Sequence, residues 1–160
     1  MKIRGFITNL GKYNEGELIG EWIEFPIDDD ELEQVFQRIG INEMYEEYFF
    51  TDWENAFDSF GEYESVNNIN DIAQELESAD LEIIEAIIEA TDYSLVEALA
   101  CVDDAIYYKN MTLVDVAYEL VEECYDLPEI AQRYFDYDAF ARDLRFDGYY
   151  EVSNGVICIP

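Results

Sequence analysis

The stretch that most constrains this chain runs from Ile39 to Tyr108. It contains 19 acidic side chains and no lysine, arginine or histidine. Like charges at helical spacing repel one another by about 0.2–0.5 kcal/mol per pair, so a folded surface normally mixes the two signs. The burial of apolar side chains must therefore offset this repulsion over 70 residues.

The composition allows such burial. Half of the 160 residues are apolar and 16% are aromatic, far more than in a disordered acidic tail, so a hydrophobic core can form. The formal net charge is −31, from 39 acidic and 8 basic residues. Nucleic acid and an anionic membrane surface would be repelled, and neither is expected as a ligand.

The location of the protein is predicted from what the sequence lacks. No apolar run approaches the length of a membrane span, and the N-terminus does not resemble a signal peptide. Three widely spaced cysteines form no metal-binding pattern and are expected to be buried, reduced thiols. These features predict a cytoplasmic protein.

Three strands are predicted near the N-terminus. Lys2–Asn9 and Leu18–Pro26 alternate apolar and polar residues as half-buried strands do, and Glu46–Trp53 is the third candidate. Between the first two strands, Leu10–Glu17 carries two glycines and an asparagine and is expected to be a loop. After the second strand, Asp28 and its two acidic neighbours are expected to cap a helix.

Helices dominate the prediction from there to the middle of the chain. The first has apolar residues at i, i+3, i+4 and i+7 and should close at Gly40. From Ser65 onward, two more apolar stripes and a short helix after Ser94 are expected, with acidic outer faces. The apolar stripes comprise Leu32, Val35, Phe36 and Ile39, then Ile69, Ile72, Ala73 and Leu76, then Leu81, Ile84, Ile87 and Ile88.

The last third mixes both element types. A short strand at Ala105–Lys109 precedes a helix capped by Thr112, and further helices should begin at Pro128 and cover Asp136–Leu144. The expected inward residues of the first of these helices are Leu113, Val116, Ala117, Leu120, Val121 and Cys124. The chain should end in a hairpin, Tyr149–Ser153 and Val156–Ile159, with Asn154-Gly155 as a type I′ turn.

These elements predict an α+β fold of three small domains with an acidic surface. An α+β domain at 1–61 is followed by a helical middle domain at 62–103. A second α+β domain at 104–160 is expected to dimerise, because its aromatic cluster exceeds what so small a core needs; an ordinary core is the alternative for these rings. The expected interface residues are Tyr134, Phe135, Tyr137 and Phe140.

Signals for catalysis are weak. The chain has no histidine, and it lacks a phosphate-binding glycine loop, a nucleophile elbow and a zinc ligand set. Asp28, Asp29 and Asp30 lack the alternating ligands and glycine of a calcium loop, so a helix cap explains them better. No catalytic residue, metal or cofactor is expected. An enzyme that uses a carboxylate-bound divalent metal is the third-ranked hypothesis.

The acidic faces leave several interpretations. A solvated surface and halophilic adaptation are two of them, although the second usually thins out large apolar residues. A third is imitation of DNA. A duplex carries one negative charge per roughly 1.7 Å of axis, so 31 charges correspond to about 53 Å and a dimer to about 105 Å. Such a protein would occupy the basic groove of a DNA-binding enzyme, with an affinity that falls as salt rises.

Two motifs carry a resemblance to a known family. Asn9–Leu18 (NLGKYNEGEL), followed by Gly20 and Trp22, is similar to the N-terminal signature of the ArdA antirestriction proteins. Tyr134–Leu144 (YFDYDAFARDL) is similar to their C-terminal motif. The resemblance implies an elongated, curved protein of three small domains that dimerises through the last one. It also implies a DNA mimic, carried on mobile elements, that binds type I restriction–modification enzymes in place of DNA.

The resulting hypothesis is a homodimeric, non-enzymatic inhibitor whose carboxylates stand in for phosphates. The alternative is an acidic protein that sequesters another basic partner, such as a nucleoid protein. Arg142, Arg145 and Lys12 are expected to pair locally with acids. The candidate mimicking residues are Glu43, Glu46, Glu47, Asp52, Glu54, Asp58, Glu62, Glu64, Glu75, Glu82, Glu85, Glu89, Asp115, Glu119, Glu122, Glu123 and Asp126.

Overall fold

The structure is a computed structural model that describes residues 2–57 and 59–160. Within these residues, eight helices and two three-stranded antiparallel sheets give a mixed fold, in agreement with the α+β class. The chain divides into two compact units. The first contains the described residues up to Ala79 together with Ser94–Val96, and the second contains Asp80–Tyr93 and Glu97–Pro160. The division into three domains stays a prediction.

The first unit is built on a sheet with the strand order β2-β1-β3, in which β1 pairs with both neighbours. All three strands were predicted, and each begins two residues later than expected. Their fully buried side chains form the core together with flanking aromatic residues, and the rings of Phe50 and Trp53 lie 4.4 Å apart. The strands are β1 at Arg4–Asn9, β2 at Gly20–Glu24 and β3 at Tyr48–Glu54.

Three helices of the first unit pack around this sheet or follow it. The cap of the second is confirmed, because Asp28 Oδ1 accepts a hydrogen bond from the Glu31 backbone N–H at 2.8 Å. The predicted stripe on the third is buried from Ile69 to Leu76. These helices are α1 at Leu10–Asn14, α2 at Asp29–Arg38 and α3 at Val66–Ser78.

The expectation of a loop at Leu10–Glu17 is wrong, because its first five residues form α1. Asn9 makes this helix possible. Its side chain is fully buried, accepts a hydrogen bond from the Lys12 N–H at 3.0 Å and donates one to the Ile39 carbonyl at 3.1 Å. The chain then leaves the helix through Gly16, whose φ of +89° suits glycine.

The second unit contains the other sheet, with the order β4-β6-β5, and most of the remaining helices. Its core lies where α6 and α8 meet the sheet and includes Val116, Leu144 and Val156. The helices are α4 at Leu81–Ala90, α6 at Leu113–Cys124, α7 at Glu129–Gln132 and α8 at Tyr137–Leu144, and α5 spans Leu95–Cys101. The strands are β4 at Ile106–Lys109, β5 at Tyr149–Val152 and β6 at Gly155–Cys158.

The terminal hairpin is present, but its turn was predicted one residue too late. Val152 pairs with Gly155, so Ser153 and Asn154 form the two-residue loop, and Gly155 begins β6 with a φ of +151°. Neighbouring elements fix this register. The carbonyl of Asn154 accepts hydrogen bonds from the Asn110 N–H at 2.7 Å and the Tyr107 hydroxyl at 3.1 Å.

The cysteines differ from the expectation of buried thiols. All three are free, but Cys158 is buried, Cys101 is half-buried and Cys124 is exposed. The inward placement predicted for Cys124 is therefore wrong. Cys124 is the last residue of α6, and the buried apolar row of that helix ends one turn earlier at Val121.

Candidate acidic interaction surface

The basic residues neutralise carboxylates only locally. Among the described residues, seven of the eight lysines and arginines form ion pairs with acids of the same unit. The expected pairing of Lys12, Arg142 and Arg145 is confirmed: their partners are Glu15, Asp143 and Glu151. Such exposed pairs contribute little to stability.

Three candidate acids lie on one short loop between α2 and β3, residues 42–47, which we call the acidic loop. The loop is a tight turn in which Asn42 and Tyr45 exchange backbone hydrogen bonds at 2.9 and 3.0 Å. The Asn42 side chain also accepts from the Met44 N–H at 2.8 Å and donates to the Gly40 carbonyl at 3.0 Å. At the far end, Leu10 N–H donates to the Glu47 carbonyl at 3.0 Å.

A polar cluster holds the acidic loop against α1. The Tyr45 hydroxyl donates to Glu15, 3.0 Å from Oε1, and the Lys12 ammonium lies 4.5 Å from the centre of the Tyr45 ring. Lys12 also donates to Glu15 at 3.0 Å. The hydrogen bonds from Lys12 and then from Tyr45 lower the pKa of the Glu15 carboxyl. The loop is thereby joined to α1 and to Glu15, the residue that follows it, by hydrogen bonds and a cation–π contact.

Gly11 allows this contact. A Cβ at position 11 would overlap the ring of Tyr45, so a side chain there would displace the tyrosine. The glycine of the N-terminal motif thus lets α1 and the acidic loop approach closely.

The acidic loop borders two open concavities, of about 300 and 260 Å³. Glu46 and Glu47 line both, and Glu43 lines the larger. All three glutamates are exposed, and none makes a side-chain ion pair or hydrogen bond with a described residue. Three unpaired carboxylates therefore lie within five residues on a held loop.

The other candidate acids of the first unit have different surroundings. Asp52 accepts from the Trp53 N–H at 2.8 Å, Glu54 pairs with Arg4, and Glu64 accepts from the Asn68 amide at 2.9 Å. Glu64 is half-buried, and the remaining acids of this group are exposed. Those without a side-chain partner among the described residues are Glu62 and Glu75. The candidate Asp58 lies outside the described residues.

In the second unit, α4 carries three glutamates about one turn apart, and the first and last of them contact other residues through an ion pair or hydrogen bonds. Glu82 pairs with Lys109 at 2.6 Å, and Glu89 accepts from the backbone N–H and hydroxyl of Ser153 at 2.7 and 2.6 Å. Glu85 between them is exposed and has no such contact with a described residue. The outer glutamates thus join α4 to the sheet.

On α6, Asp115 has a structural role and the later acids do not. Asp115 and Thr112 form a reciprocal capping box, with a carboxylate oxygen 2.8 Å from the Thr112 backbone nitrogen. Hydrogen bonds from the Thr112 hydroxyl and backbone lower the pKa of Asp115. The candidates that follow lack side-chain partners among the described residues; Glu119 is half-buried, and Glu122, Glu123 and Asp126 are exposed.

The aromatic residues predicted for an interface separate into one exposed ring and three packed ones. Tyr134 is 84% exposed, whereas Phe135 contacts Tyr137 and Phe140 through edge-to-face rings at 4.9 and 5.6 Å. Tyr137 also stacks on Tyr118 at 3.8 Å. An open groove of about 610 Å³ is lined by Tyr118, Val121, Glu122, Glu129, Gln132, Arg133, Phe135 and Tyr137.

Sequence reasoning predicted a local acidic partner for Lys12, but it missed that Lys12, Glu15 and Tyr45 hold the acidic loop. It also missed the exposed Met44 at the tip of the loop. Asn42, two residues before Met44, was a usable signal for the turn, because Asn side chains commonly hydrogen-bond to the backbone two residues onward in turns. No local signal joined Tyr45 to Gly11, since the two residues are 34 positions apart along the chain.

No helix in the described ranges combines the length and hydropathy needed to cross a bilayer.

Comparison with known proteins identifies the family of this chain. No curated protein sequence matches the chain. The profile of one family, described as antirestriction protein (ArdA), matches residues 5–158. This match includes both signature motifs and all but the first four and last two residues, and the chain therefore belongs to the ArdA antirestriction family.

Proposed function

We propose that this protein is a DNA mimic that binds a type I restriction–modification enzyme in its DNA-binding groove and blocks restriction. Membership of an antirestriction family gives the biological role, and the acidic surface supplies the mechanism. The protein acts as an inhibitor and needs no cofactor. A net charge of −31 makes DNA itself an unsuitable ligand.

The observation that carries the proposal is the set of exposed carboxylates that have no counter-ion among the described residues. The acidic loop, the middle of α4 and the end of α6 each present such groups on regular or hydrogen-bonded backbone. A carboxylate at a fixed position can accept the hydrogen bonds that a phosphate oxygen accepts from Arg or Lys. Binding would release counterions from both surfaces and weaken as salt rises.

The test is a cleavage assay with a purified type I restriction enzyme and unmodified DNA. Rising amounts of the protein should protect the DNA at near-stoichiometric ratios, and protection should weaken from low to moderate salt. Lack of protection against enzymes of several type I families would contradict the proposal. Binding to a nucleoid protein alone would instead support the sequestration of another basic partner.

Variants test whether inhibition depends on many carboxylates or on a few. A single replacement of Asp or Glu by a neutral residue should change inhibition little, because the field sums over many carboxylates. Loss of inhibition in one such variant would contradict distributed mimicry. The double variant Glu46→Gln/Glu47→Gln should reduce the slope of log affinity against log salt. The matched control is Asp30→Asn/Glu33→Gln, which removes the same charge from exposed positions on α2 outside the candidate set.

We also propose a homodimer formed through the C-terminal region, with Tyr134, Phe135, Tyr137 and Phe140 at or beside the interface. The exposed ring of Tyr134 and the groove beside Phe135 support it. Each copy carries 31 net negative charges, so dimerisation should strengthen as salt screens their repulsion. Sedimentation at several salt concentrations measures this, and Tyr134→Asp should shift the equilibrium to monomer. A salt dependence of the opposite sign would argue against an apolar interface.

A further inference from the structure

Met44 is an exposed apolar side chain surrounded by negative charge. It is 80% exposed at the tip of the acidic loop, with Glu43 before it and Glu46 and Glu47 shortly after. Leu18, another exposed aliphatic residue of the first unit, is 65% exposed. Solvation of the loop does not explain an apolar tip, because a polar residue would serve that purpose better.

Hydrogen bonds hold the loop in a closed turn around this position. The two backbone hydrogen bonds between Asn42 and Tyr45 close the turn around Met44, and the Asn42 side chain accepts from the Met44 N–H. Tyr45 is fixed on α1 by Glu15 and Lys12. An ordered loop loses little conformational entropy on binding, so contacts made by its tip retain more of their free energy.

The neighbouring carboxylates define the partner. The three glutamates around Met44, which have no ion-pair partner in the ranges that the structure covers, favour a surface rich in Arg and Lys, as found where a protein contacts DNA phosphates. Between such phosphate contacts lie the side chains that face base edges, some of which are apolar. Methionine is flexible and polarisable, is enriched in interfaces and adapts to surfaces of different shape.

We infer that Met44 is an apolar anchor that enters the basic DNA-binding groove of the restriction enzyme between the contacts made by Glu43, Glu46 and Glu47. This inference rests on the proposed function. The carboxylates supply a term in the affinity that salt screens, and Met44 supplies one that salt does not screen. DNA mimicry by charge alone would contain only the first term.

The two terms can be separated by measuring the dissociation constant in competition with labelled DNA over a series of NaCl concentrations. Met44→Ala and Met44→Gln should weaken binding about tenfold at every salt concentration, with an unchanged salt slope. Glu46→Gln/Glu47→Gln should instead reduce the slope. Leu18→Ala is the matched control and should bind like the wild type. Because Met44 is exposed, urea unfolding of its variants should follow the wild type.

A footprint on the unmodified chain gives a second readout. Mild peroxide oxidises exposed methionines, and mass spectrometry measures sulfoxide at Met44 in the free protein and in the complex. Bound enzyme should protect Met44. Two outcomes overturn this inference alone. In both, the wild-type chain binds the enzyme; in the first, Met44→Ala binds with the same affinity as the wild type, and in the second, bound enzyme does not protect Met44 from oxidation. A wild-type chain that does not compete with DNA at low salt overturns the proposed function and this inference together.

Discussion

Glu89 on α4 accepts two hydrogen bonds from Ser153 in the β5–β6 turn, at 2.7 and 2.6 Å. Sequence reasoning assigned Glu89 to the phosphate-mimicking surface. The contact gives this carboxylate a structural role as well, because it satisfies the backbone N–H and the hydroxyl of a turn residue. The acids of one helix face are therefore not equivalent.

The first prediction separates these roles on α4. Glu89→Ala should lower the free energy of unfolding by about 1 kcal/mol, because Ser153 loses a charged acceptor. Glu89→Gln should lose less, since the amide oxygen still accepts. Glu85→Ala is the control: it makes the same exchange one turn away, where the carboxylate has no partner among the described residues. Urea unfolding measures all three, and equal effects at both positions would show that the Ser153 contact contributes nothing.

Gly11 gives a prediction in which geometry and helix propensity have opposite signs. Gly11 lies within α1, where Ala would normally be favoured by up to about 1 kcal/mol. The added Cβ would overlap the Tyr45 ring, so Gly11→Ala should destabilise the protein by about 1–3 kcal/mol and weaken inhibition through the acidic loop.

Two companion variants test the cause at Gly11. Gly61→Ala is the control, because a Cβ there meets no described atom within 4 Å. In a Tyr45→Ala background the penalty of Gly11→Ala should largely disappear. A penalty that persists without the tyrosine ring would assign the effect to the backbone of α1. Thermal unfolding measures each variant.

The Glu15 cluster predicts a specific pH dependence. Its hydrogen bonds from Lys12 and Tyr45 lower the folded-state pKa below the ordinary 4.5. The stabilisation by the charged form is therefore complete above about pH 4.5 and is lost as the pH falls through the folded-state pKa. The difference in unfolding free energy between the wild type and Glu15→Gln should shrink over that window.

The difference between the wild type and Glu15→Gln removes the pH dependence that arises from the other carboxylates, since these are protonated in both chains. Glu62→Gln is the control, because its carboxylate has no partner contact to lose among the described residues. A constant difference between the wild type and Glu15→Gln at all pH values would mean that the Glu15 charge does not stabilise the fold.

The end of α6 predicts a gain of stability with a loss of function. Its last turn contains Glu122 and Glu123 and no basic residue, although the negative end of the helix dipole disfavours anions there. Glu122→Gln/Glu123→Gln should raise the free energy of unfolding by about 0.5–1 kcal/mol at low salt. The same variant should weaken inhibition and reduce its salt dependence.

Glu82→Gln is the contrasting control for α6, because it breaks the pair with Lys109 and should not stabilise the protein. Urea unfolding at low and high salt measures the effect, which should diminish as salt screens the charges. A loss of stability in the α6 variant would mean that these glutamates have contacts that support the fold.

Helix stripes and caps were the most predictable features of the fold. The apolar rows on α3 and α6, apart from Cys124, and the caps by Asp28 and Thr112 depend on residues a few positions apart, so the sequence contains the whole interaction. The part that Asp115 plays in the cap of α6 was not predicted, because Asp115 was assigned to the mimicking surface. The exposed acidic faces follow from the same periodicity. Local pairing of Arg142 and Arg145 was likewise predictable, because their partners lie within six positions.

Two of the errors, at α1 and at the final turn, share one cause, which is contact with residues distant in sequence. The expected loop is α1 because the buried Asn9 binds both Lys12 and Ile39, and the final turn shifts because Asn110 and Tyr107 hold Asn154. The acidic loop depends on Tyr45 meeting Glu15 and Gly11. The sequence by itself determined the helices other than α1, the excess of acidic residues and the family motifs. Which carboxylates are bound within the fold, and which have no partner in the described part of the chain, depends on side chains that folding brings together from distant positions.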